Sequence, residues 1–499
     1  MANEKASSPH SVAFKMNPKS DSDIESSEQD GESRSARVST PVHDASGFAG
    51  PGGSGITRRE LIIGGGKVAV AVTVSSMFSP FNIYVKAATV KSLSFWQFYS
   101  PGAVPATQDK WFQDMVKSWN GSHDTKVELL YVPSQDYING LKLQTAFAAG
   151  QGPDIFLISS GDFLRYYNGG VLVDLSQYME DAAKNDFSKN VMETRIVDGK
   201  IYGLPMEAEP MAMYYSEKAF ADANLSEADL PKTWDQLIEV SRKLTKKNQF
   251  GCLFETGPGY YQNFTWYPFL WQGGGDIVTP AGNKSAFNSP ATVQALKFWQ
   301  DTIKGGVAPS NELGFGANDP VANLASGYCA IQNLGIWGIS LLQQGAKGFA
   351  YGVFPCPIPP NGKPKTVLDG WAFVANAKGK DPETAAKFCV WALGSMSDDS
   401  VQRVVDWCIR AKTEIPPRKS VLEKATAEGG YSEGPMKVFK EEIFPTGRAE
   451  PRVPPEVYKA VSDAIQACQL TGADPAQQAA EASQDIDAYL ASYSGAPPK

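Results

Sequence analysis

The stretch GLPMEAEPMAMYYS, residues 203–216, decides the fold that we predict for this chain. Its two carboxylates, Glu207 and Glu209, lie in an otherwise apolar segment bracketed by Pro205 and Pro210. Proline cannot donate a backbone hydrogen bond to a neighbouring strand, so the stretch is typical of an edge or crossing segment. Residues two apart share a face of extended chain, and carboxylates in apolar surroundings need a partner. We therefore predict that the segment crosses between two lobes and offers its acids to a cleft.

The residues before this stretch have the pattern of an α/β lobe. Three strand patterns separated by helical spacings occur at residues 90–100, 127–133 and 152–160. A helix is predicted from Tyr137 to Gly150. Strands that alternate with helices indicate a largely parallel sheet, and ligands bind beyond the carboxyl ends of its strands. Those ends place Gln97, Tyr99 and Asp162 among the candidate ligand contacts.

The residues after the stretch continue with helices and short strands. Thr233 and Gln236 can form a reciprocal cap at the start of a helix over 230–244. The aromatic residues of 259–277 fit either packing in the hydrophobic core or lining a ligand-binding cleft. A strand that ends at Gly335 is predicted, followed by strands at 351–359 and 366–376. Further helices are predicted at 291–303, from Asp381-Pro382, over 457–468 and from Asp474-Pro475 to Tyr493.

Composition excludes several classes of function. The 499 residues have a formal net charge of −8, with no block of Lys or Arg that would follow a phosphate backbone, so we predict no nucleic-acid partner. Only His123 of the three histidines lies outside the leading segment, which argues against histidine acid–base chemistry. The six cysteines have no paired short spacing, so no metal site and no cofactor is predicted, and most should be buried small hydrophobes.

The leading segment differs in composition from the rest of the chain. Residues 1–56 are rich in Ser, Gly, Asp and Glu and are predicted to be a disordered extension. Residues 57–87 contain Arg58-Arg59, an apolar run and small residues at Val85-Lys86-Ala87, and they resemble a twin-arginine export signal. We expect a periplasmic protein that is free of the membrane.

Six segments, taken in order, resemble the extracellular solute-binding proteins of ABC importers, the family that includes maltose-binding protein. They are GQGPDIFLISS at 150–160, LVDLSQYM at 172–179, DGKIYGLPMEAEPMAMYYS at 198–216, PKTWDQL at 231–237, GYCAIQNLGIWG at 327–338 and GADPAQQAAEAS at 472–483. The resemblance implies a periplasmic-binding-protein-like type II fold, in which hinge crossings join two α/β lobes around a ligand cleft. It also implies a monomer without enzymatic activity, whose partners are a sugar or oligosaccharide and the permease subunits of the importer.

The resemblance assigns roles to individual residues. Glu209 matches the acid of the first crossing that meets sugar hydroxyls, and Trp337 matches the aromatic residue that stacks on a sugar ring. Asp162 lies where the family places polar sugar contacts, and Tyr261 and Asn263 lie where the second lobe adds further contacts. Asn263 stands where the maltose binder has a tyrosine, which argues against maltose.

The chemistry of a sugar fits these residue types independently. A sugar ring has apolar faces on which Trp337 and Trp371 can stack, and its hydroxyls donate to carboxylates. For Trp371, packing beside the hinge remains an equal alternative. Asp369 fits either a turn or a ligand contact.

The resemblance also sets expected boundaries. They are 88–208 for the first part of lobe 1, 209–366 for lobe 2, 367–398 for the return to lobe 1, and 399–499 for a helical segment packed mostly on lobe 2.

Two other classes of function remain open on the sequence. An exported carbohydrate-active enzyme could use Glu207 and Glu209, whose backbones would lie ~6.6–6.8 Å apart on a strand, within reach of glycosidase spacings. Both acids would then approach a ligand from one side, whereas glycosidase carboxylates flank the bond. Alternatively, the same fold could bind a polyamine, an organic anion or a metal chelate.

Overall fold

The computed structural model describes residues 92–102, 106–138 and 140–499. The predicted extension at 1–56 and the predicted export signal at 57–87 lie outside these residues. The strands of the described part are β1 Ser92–Gln97, β2 Lys126–Tyr131, β3 Ile155–Ile158, β4 Ile196–Val197, β5 Lys200–Ile201, β6 Leu204–Pro205, β7 Met211–Ser216, β8 Ile331–Gly335, β9 Tyr351–Phe354, β10 Thr366–Leu368, β11 Ala372–Ala375 and β12 Gly447–Ala449.

Helices make up most of the remaining regular structure. The α-helices are α1 Ala106–Ser122, α2 Ser134–Ile138, α3 Leu141–Ala148, α4 Ser160–Asn168, α5 Asp181–Asp186, α6 Lys189–Met192, α7 Glu217–Asp222, α8 Trp234–Leu244, α9 Tyr260–Gln272, α10 Pro290–Lys304, α11 Gly338–Gly345, α12 Pro382–Cys389, α13 Asp398–Asp406, α14 Lys419–Ala427, α15 Gly434–Val438, α16 Pro455–Gln466 and α17 Pro475–Leu490. Short 3₁₀-helices lie at Ser176–Tyr178, Glu193–Arg195, Glu227–Asp229, Gly316–Asn318 and Phe444–Thr446, and π-helical turns at Val321–Ala325, Val390–Gly394, Trp407–Ala411, Phe439–Ile443 and Ala467–Thr471.

The first sheet has five strands in the order β2-β1-β3-β11-β6. β1 pairs in parallel with β2 and β3, whereas β11 runs antiparallel to β3 and to β6. All four residues of β3 are buried, as in a sheet whose two faces are both covered. The α/β lobe predicted from residues 90–160 is confirmed, and its sheet is completed by a strand from much later in the chain.

The second sheet has three antiparallel strands in the order β8-β7-β9. Its central strand is the second half of the 203–216 stretch, and all six residues of that strand are buried. The first half, β6, contains Pro205 and lies at the edge of the five-stranded sheet. The prediction of a crossing segment is therefore confirmed. Both ends of the stretch join a sheet, and residues 206–210 form the crossing itself.

The return to the first sheet passes close to this crossing. β10 pairs in parallel with β12, and β11 then enters the five-stranded sheet. Gly370 lies between β10 and β11 with a φ of 135°, where a Cβ atom would come within 2.5 Å of the carbonyl oxygen of Glu207. A side chain at this position would separate the two passing segments, so glycine is required.

Several helical predictions hold, and two need correction. Thr233 and Gln236 form the predicted capping box, and Asp381 and Asp474 cap α12 and α17. The single helix predicted from Tyr137 to Gly150 is instead two helices, α2 and α3, and Gly140 has a φ of 72° that no α-helix continues through. The last helix ends at Leu490 rather than at Tyr493.

The helices divide between the two sheets. α13 packs on the π-turn that follows α12, and the π-turn that follows α13 packs on α1, whereas α16 packs on α9 and α17 packs on α10. In α9, residues 262–272 are all buried, so this part of the aromatic stretch is core. The six cysteines are free and buried, as predicted. Among the described helices, none has both the length and the apolar character to cross a membrane.

Candidate functional site

Backbone hydrogen bonds hold the crossing segment 206–210 on both of its edges. The N–H of Glu209 donates to the carbonyl oxygen of Asp369 at 2.9 Å, and the N–H of Ala208 donates to that of Ile415 at 2.8 Å. Such bonds fix an extended segment in direction as well as position. The side chains two residues apart in this segment therefore project from a rigid support.

The side chain of Lys412 lies among three buried carboxylates. Its Nζ atom is 3.0 Å from Oε1 of Glu207 and 3.2 Å from Oε1 of Glu414, and it forms an ion pair with Oε1 of Glu209. Glu207 and Glu414 are 0% exposed and Glu209 is 7% exposed. Nζ also donates to the Tyr99 hydroxyl at 3.3 Å. One ammonium group is therefore shared by three carboxyl groups in a region with little access to water.

Burial and mutual repulsion change the protonation of this cluster. Burial, with a further contribution from the charge of Glu207, raises the pKa of Glu209 to about 8 despite the opposing effect of Lys412. Burial likewise raises the pKa of Glu414 well above its ordinary value. For Lys412, burial lowers the pKa, but the three carboxylates outweigh it and raise the pKa above the ordinary value. At neutral pH, Lys412 is charged and Glu209 is largely protonated.

Glu207 is the more enclosed member of the pair. Its Oε2 accepts a hydrogen bond from Nε1 of Trp407 at 2.6 Å, and its Oε1 accepts one from the backbone N–H of Trp371 at 3.3 Å. Together with Lys412, these donors occupy both carboxylate oxygens. Glu207 is thus a structural anion of the crossing, and Glu209 is the member nearer to solvent.

An aromatic surface lies on the side of the second sheet. The ring of Trp337 packs directly over Gly335, where a Cβ atom would overlap it, and its Nε1 donates to Oδ1 of Asn318 at 2.5 Å. The ring centroids of Tyr261 and Phe264 lie 6.1 and 6.2 Å from that of Trp337. These contacts fix the orientation of the indole and leave Trp337 9% exposed.

The Tyr261 hydroxyl is a further polar group beside Trp337. It is buried and has no hydrogen-bond partner among the described residues. Burial raises the pKa of Tyr261, and the charges that raise it further are those of Glu255, Glu209 and Glu312. Burial, followed by the charge of Glu312, also raises the pKa of Glu255 to about 8. Negative charges from different parts of the chain therefore act on one tyrosine.

The first sheet contributes Tyr99 and Trp371. Tyr99 follows β1 and stacks on Phe98 with ring centroids 4.5 Å apart. Trp371 meets the edge of Phe98 at 4.7 Å and that of Tyr137 at 6.1 Å. Trp371 is half-buried, so part of its ring remains accessible.

Asp369 connects the two sides of the molecule. Its Oδ1 accepts hydrogen bonds from Oγ of Ser160 and from the guanidinium of Arg195, both at 2.7 Å. Its Oδ2 accepts one from the hydroxyl of Tyr260 at 3.1 Å. Ser160 and Arg195 lie beside the first sheet, and Tyr260 begins α9. Of the two interpretations that the sequence allowed, the structure thus favours a linking role within the protein.

The structure brings together five of the nine predicted site residues. They are Glu209, Tyr99, Trp371, Tyr261 and Trp337. The other four have protein partners instead. Asp369 is bonded as described, and Asp162 lies in the first turn of α4, not in a loop, with an ion pair to Arg165 at 3.2 Å.

Gln97 and Asn263 lie inside the protein. Gln97 is 1% exposed and accepts a hydrogen bond from the backbone N–H of Tyr99. Asn263 is 0% exposed, and its Nδ2 donates to the carbonyl oxygen of Tyr458 at 2.9 Å. Both side chains therefore support neighbouring segments in this conformation.

Sequence reasoning missed Lys412, Glu414, Glu255 and Glu312. The first two had a signal, because Lys412 and Glu414 are two residues apart and lie just before a proline, as Glu207 and Glu209 do. Glu255 and Glu312 carry no local signal, since only folding brings them to Tyr261.

The three glutamates around Lys412 also have the geometry of a cation site. Oxygen atoms of Glu207, Glu209 and Glu414 lie within 4.8 Å of one another. The ammonium of Lys412 already lies among them, so a lysine supplies the positive charge that this donor set attracts. Two surface cavities, of about 630 Å³ beside Tyr493 and about 870 Å³ beside Lys189, are lined by none of these residues. We place the site at the crossing because its polar groups converge there.

Comparison with known proteins identifies a family. The family model described as bacterial extracellular solute-binding protein matches residues 103–397. A binding protein of Brucella abortus (strain 2308) is 25% identical over 359 residues, covering 70% of this chain and 82% of the relative. The galactooligosaccharide-binding protein of Bacillus subtilis (strain 168) is 23% identical over 394 residues, covering 77% of this chain and 87% of the relative.

A solved structure shows the same fold. The ABC transporter solute-binding protein from Thermotoga lettingae TMO, bound with α-D-tagatose, has a TM-score of 0.68 and 24% identity, covering 80% of this chain and 100% of the other. The predicted type II, two-lobed periplasmic-binding-protein fold is therefore confirmed.

Proposed function

This chain belongs to the family of bacterial extracellular solute-binding proteins, and on that premise we propose that it captures a sugar or oligosaccharide for an ABC importer. The family description indicates an extracytoplasmic location. Relatives with sugar-binding names support the ligand class, among them the galactooligosaccharide-binding protein of Bacillus subtilis (strain 168).

The observation that carries this proposal is the meeting of Glu209 with an aromatic surface between the two sheets. Glu209 lies on the crossing next to Pro210, whose carbonyl oxygen accepts a hydrogen bond at 3.1 Å from the N–H of Ile336, the residue before Trp337. Trp337 lies beside Tyr261, with ring centroids 6.1 Å apart. A sugar needs both components, because its ring faces are apolar and its hydroxyls donate to carboxylates. A hydrogen bond to such a group contributes about 0.5–1.5 kcal/mol when the carboxyl is neutral and about 1.5–3 kcal/mol when it is ionised.

Lobe closure completes the proposed mechanism. We assign residues 88–208 and 367–398 to lobe 1 and residues 209–366 to lobe 2, with the crossings at 206–210 and 369–371 as hinges. The separate sheets on either side of these crossings support the assignment. A ligand contacting both Trp371 of lobe 1 and Trp337 of lobe 2 would stabilise the closed form, because it would bridge the two lobes.

The proposed setting follows from the same premise. The liganded protein, a monomer, delivers its solute to the permease subunits of the importer. We propose that residues 57–87 direct export by the twin-arginine route. The arginine pair at Arg58-Arg59, ahead of an apolar run, supports this route.

We propose a binding protein without catalytic activity. Glu207 and Glu209 both contact the same lysine, and Glu207 has its two oxygens occupied by Trp407, Trp371 and Lys412. A glycosidase pair must instead face the two sides of a scissile bond. The known relatives reported above are binding proteins, which also supports this proposal.

The test is a titration of intrinsic tryptophan fluorescence with a panel of neutral mono- and oligosaccharides, polyols and polyamines. We expect micromolar binding of a sugar. Glu209→Gln and Trp337→Ala should each weaken that binding at least tenfold, because each removes a direct contact. The matched controls are Glu239→Gln, an exposed acid on α8, and Trp391→Ala, a half-buried tryptophan packed on Trp119.

Two outcomes would overturn this proposal. Unchanged affinity in both Glu209→Gln and Trp337→Ala would show that the ligand binds elsewhere. Release of smaller products from an oligosaccharide during incubation would show an enzyme.

A further inference from the structure

Residues 491–499, which follow α17 and are called the strap below, extend from one side of the molecule to the other. α17 itself packs on α10 and α16. From there the strap reaches α4, the helix that directly follows β3 of the first sheet. Nδ2 of Asn168, the last residue of α4, donates to the hydroxyl of Tyr493 at 2.8 Å, and the N–H of Ala496 donates to Oδ1 of Asn168 at 3.1 Å. One asparagine therefore attaches the strap to the side of the first sheet.

The far end of the strap has a second attachment. The N–H of Lys499 donates to the carbonyl oxygen of Arg452 at 3.0 Å, and the N–H of Arg452 donates to that of Lys499 at 2.9 Å. The ammonium of Lys499 lies 3.2 Å from Oε2 of Glu193, which begins a 3₁₀-helix beside the first sheet. The strap is therefore attached to this side at two separate places, Asn168 and Glu193.

The guanidinium of Arg452 bonds the strap and the first-sheet side at once. Its Nη1 donates to the carbonyl oxygens of Thr194 at 3.3 Å and Ile196 at 2.7 Å, and its Nη2 donates to that of Pro497 at 3.0 Å. The planar fork of an arginine suits several acceptors in one plane. Arg452 lies between β12, which pairs with β10 next to the crossing, and α16. The strap is thus connected to the segment that leads from the crossing to α16.

The strap also contacts the side that carries the second sheet. A Cβ atom on Gly282 would lie 2.3 Å from the carbonyl oxygen of Pro498, so the two backbones are in direct contact. The loop of Gly282 is held to α17, because the N–H of Ser285 donates to Oδ1 of Asp487 at 2.7 Å. Gly282 and Ser285 belong to the segment assigned to lobe 2, and Asn168 and Glu193 belong to the segment assigned to lobe 1. The strap therefore contacts both lobes.

Polar contacts, rather than a packed core, hold the strap on lobe 1. Six of its nine residues are exposed. A cavity of about 630 Å³ is lined by residues 492–496 together with Tyr167, Asn168 and Tyr489, so the strap does not pack closely on α4 along this length. Segments with few buried apolar contacts and exposed hydrogen bonds open locally at low cost. The strap can therefore leave lobe 1 while the rest of the protein stays folded.

We propose that the strap is a latch that holds the two lobes in the arrangement described here, and that the lobes open when it leaves Asn168 and Glu193. This inference rests on the lobes assigned in the proposed function and adds a conformational control that is independent of the ligand class. A segment bonded to both lobes favours the arrangement in which all its bonds form. Loss of these bonds therefore shifts the population towards open forms.

The experiment is hydrogen–deuterium exchange of the full chain without ligand, resolved by mass spectrometry. The reporters are the N–H groups of Gly161 and Asp162, in the first turn of α4, where a helix leaves donors without helical acceptors. The ring of Tyr260 covers this turn from the other side. Asn168→Ala removes two bonds to the strap, and deletion of residues 492–499 removes the latch. We expect exchange at the reporters to rise about tenfold in each variant, with β3 and β7 unchanged.

Matched variants separate a latch from a local packing effect. Tyr493→Phe removes the hydroxyl bonded to Asn168 without changing α4, and it should raise exchange at Gly161 and Asp162 in the same direction. Asn248→Ala, at an exposed asparagine in the turn after α8, is the control and should leave both reporters unchanged.

The outcomes decide this inference without any ligand. Faster exchange confined to the strap itself, with Gly161 and Asp162 unchanged, would show that the lobes do not depend on it and would overturn the inference. If the deletion lowers protection throughout the chain, Asn168→Ala and Tyr493→Phe decide, and unchanged reporters in both overturn it. Since no sugar is added, this result is independent of the fluorescence titration that tests the proposed function.

Discussion

Gly161, at the start of α4, lies so close to Tyr260, at the start of α9, that the glycine has no room for a side chain. A Cβ atom on Gly161 would lie 2.8 Å from the ring of Tyr260 and 2.7 Å from the hydroxyl of Tyr458. Gly161 follows the first sheet directly, whereas Tyr260 and Tyr458 belong to the helical layer that includes α9 and α16. The structure therefore shows the two sides in close contact at this point.

Gly161→Ala should weaken ligand binding. The added methyl group must push Tyr260 and Tyr458 away, and overpacking of this kind costs roughly 1–3 kcal/mol. If the contact forms on closure, affinity falls by roughly 5- to 150-fold, and small-angle X-ray scattering with ligand shows a larger radius of gyration than for the unmodified protein. The control is Gly121→Ala in α1, where a Cβ atom meets nothing within 4 Å. Unchanged affinity in Gly161→Ala would show that ligand binding does not require this contact.

Lys412→Met should strongly destabilise the fold at neutral pH. It leaves Glu207, Glu209 and Glu414 buried without a cation, and breaking a buried ion pair from one side costs about 3–5 kcal/mol. The loss should be larger at pH 9 than at pH 7, because Glu209, with a pKa of about 8, loses its proton over this interval. Urea unfolding at both pH values measures the effect. Lys437→Met, an exposed lysine paired with Glu441 at 4.0 Å, is the control, and an equal loss in the two variants would refute the prediction.

Stability should fall as pH rises from about 5 to 9. Glu209 and Glu255 have a pKa of about 8 in the folded protein, above the ordinary value of 4.5. The folded state therefore binds more protons than the unfolded state in this interval, so the free energy of unfolding decreases with pH by up to about 1.4 kcal/mol per pH unit for each group. The urea midpoint measured at unit pH steps reports this slope. Glu255→Gln should flatten it, and an unchanged slope in that variant would show that Glu255 does not titrate there.

The six thiols should be unreactive in the native protein. All six cysteines are free and buried, and burial raises the thiol pKa to about 12 at Cys252 and Cys356. Thiolate, the reactive form, is therefore scarce at neutral pH. Ellman's reagent should detect no fast thiol in the native chain and six after denaturation with guanidinium. A fast native thiol would show that one of these sites opens readily.

The fold was largely predictable because the strand and crossing patterns are local. Buried strands such as β3 form apolar runs, and Pro205 and Pro210 mark where the chain leaves one sheet for another. The antiparallel β11 was predicted only as part of one strand over 366–376, which the structure divides into β10 and β11 in different sheets, and its pairing was not predicted. β11 pairs with β3, which lies more than 200 residues earlier in the chain. This pairing depends on where the chain re-enters the first sheet after the second sheet, and the spacing of residues within a strand does not contain that information.

The site was predictable only in part. Glu209, Trp337 and Tyr261 were identified from the sequence, and the structure brings them close together. Asn263 was also predicted, yet the packing of α9 turns its side chain towards Tyr458. Rotating a helix about its axis by one residue position changes which neighbour each side chain contacts. The sequence of the helix alone does not fix this rotation, because it depends on the elements that pack against the helix.

The sequence by itself determined that residues 203–216 cross between two sheets with two acids, because proline positions and period-two spacing act within a few residues. Only the tertiary structure decided what those acids meet. Lys412 and Glu414 reach Glu207 and Glu209 from a segment much later in the chain, and Glu255 and Glu312 come from two further loops. The protonation of Glu209 is set by this assembly, since burial and the charges of distant residues, rather than its neighbours in sequence, raise its pKa.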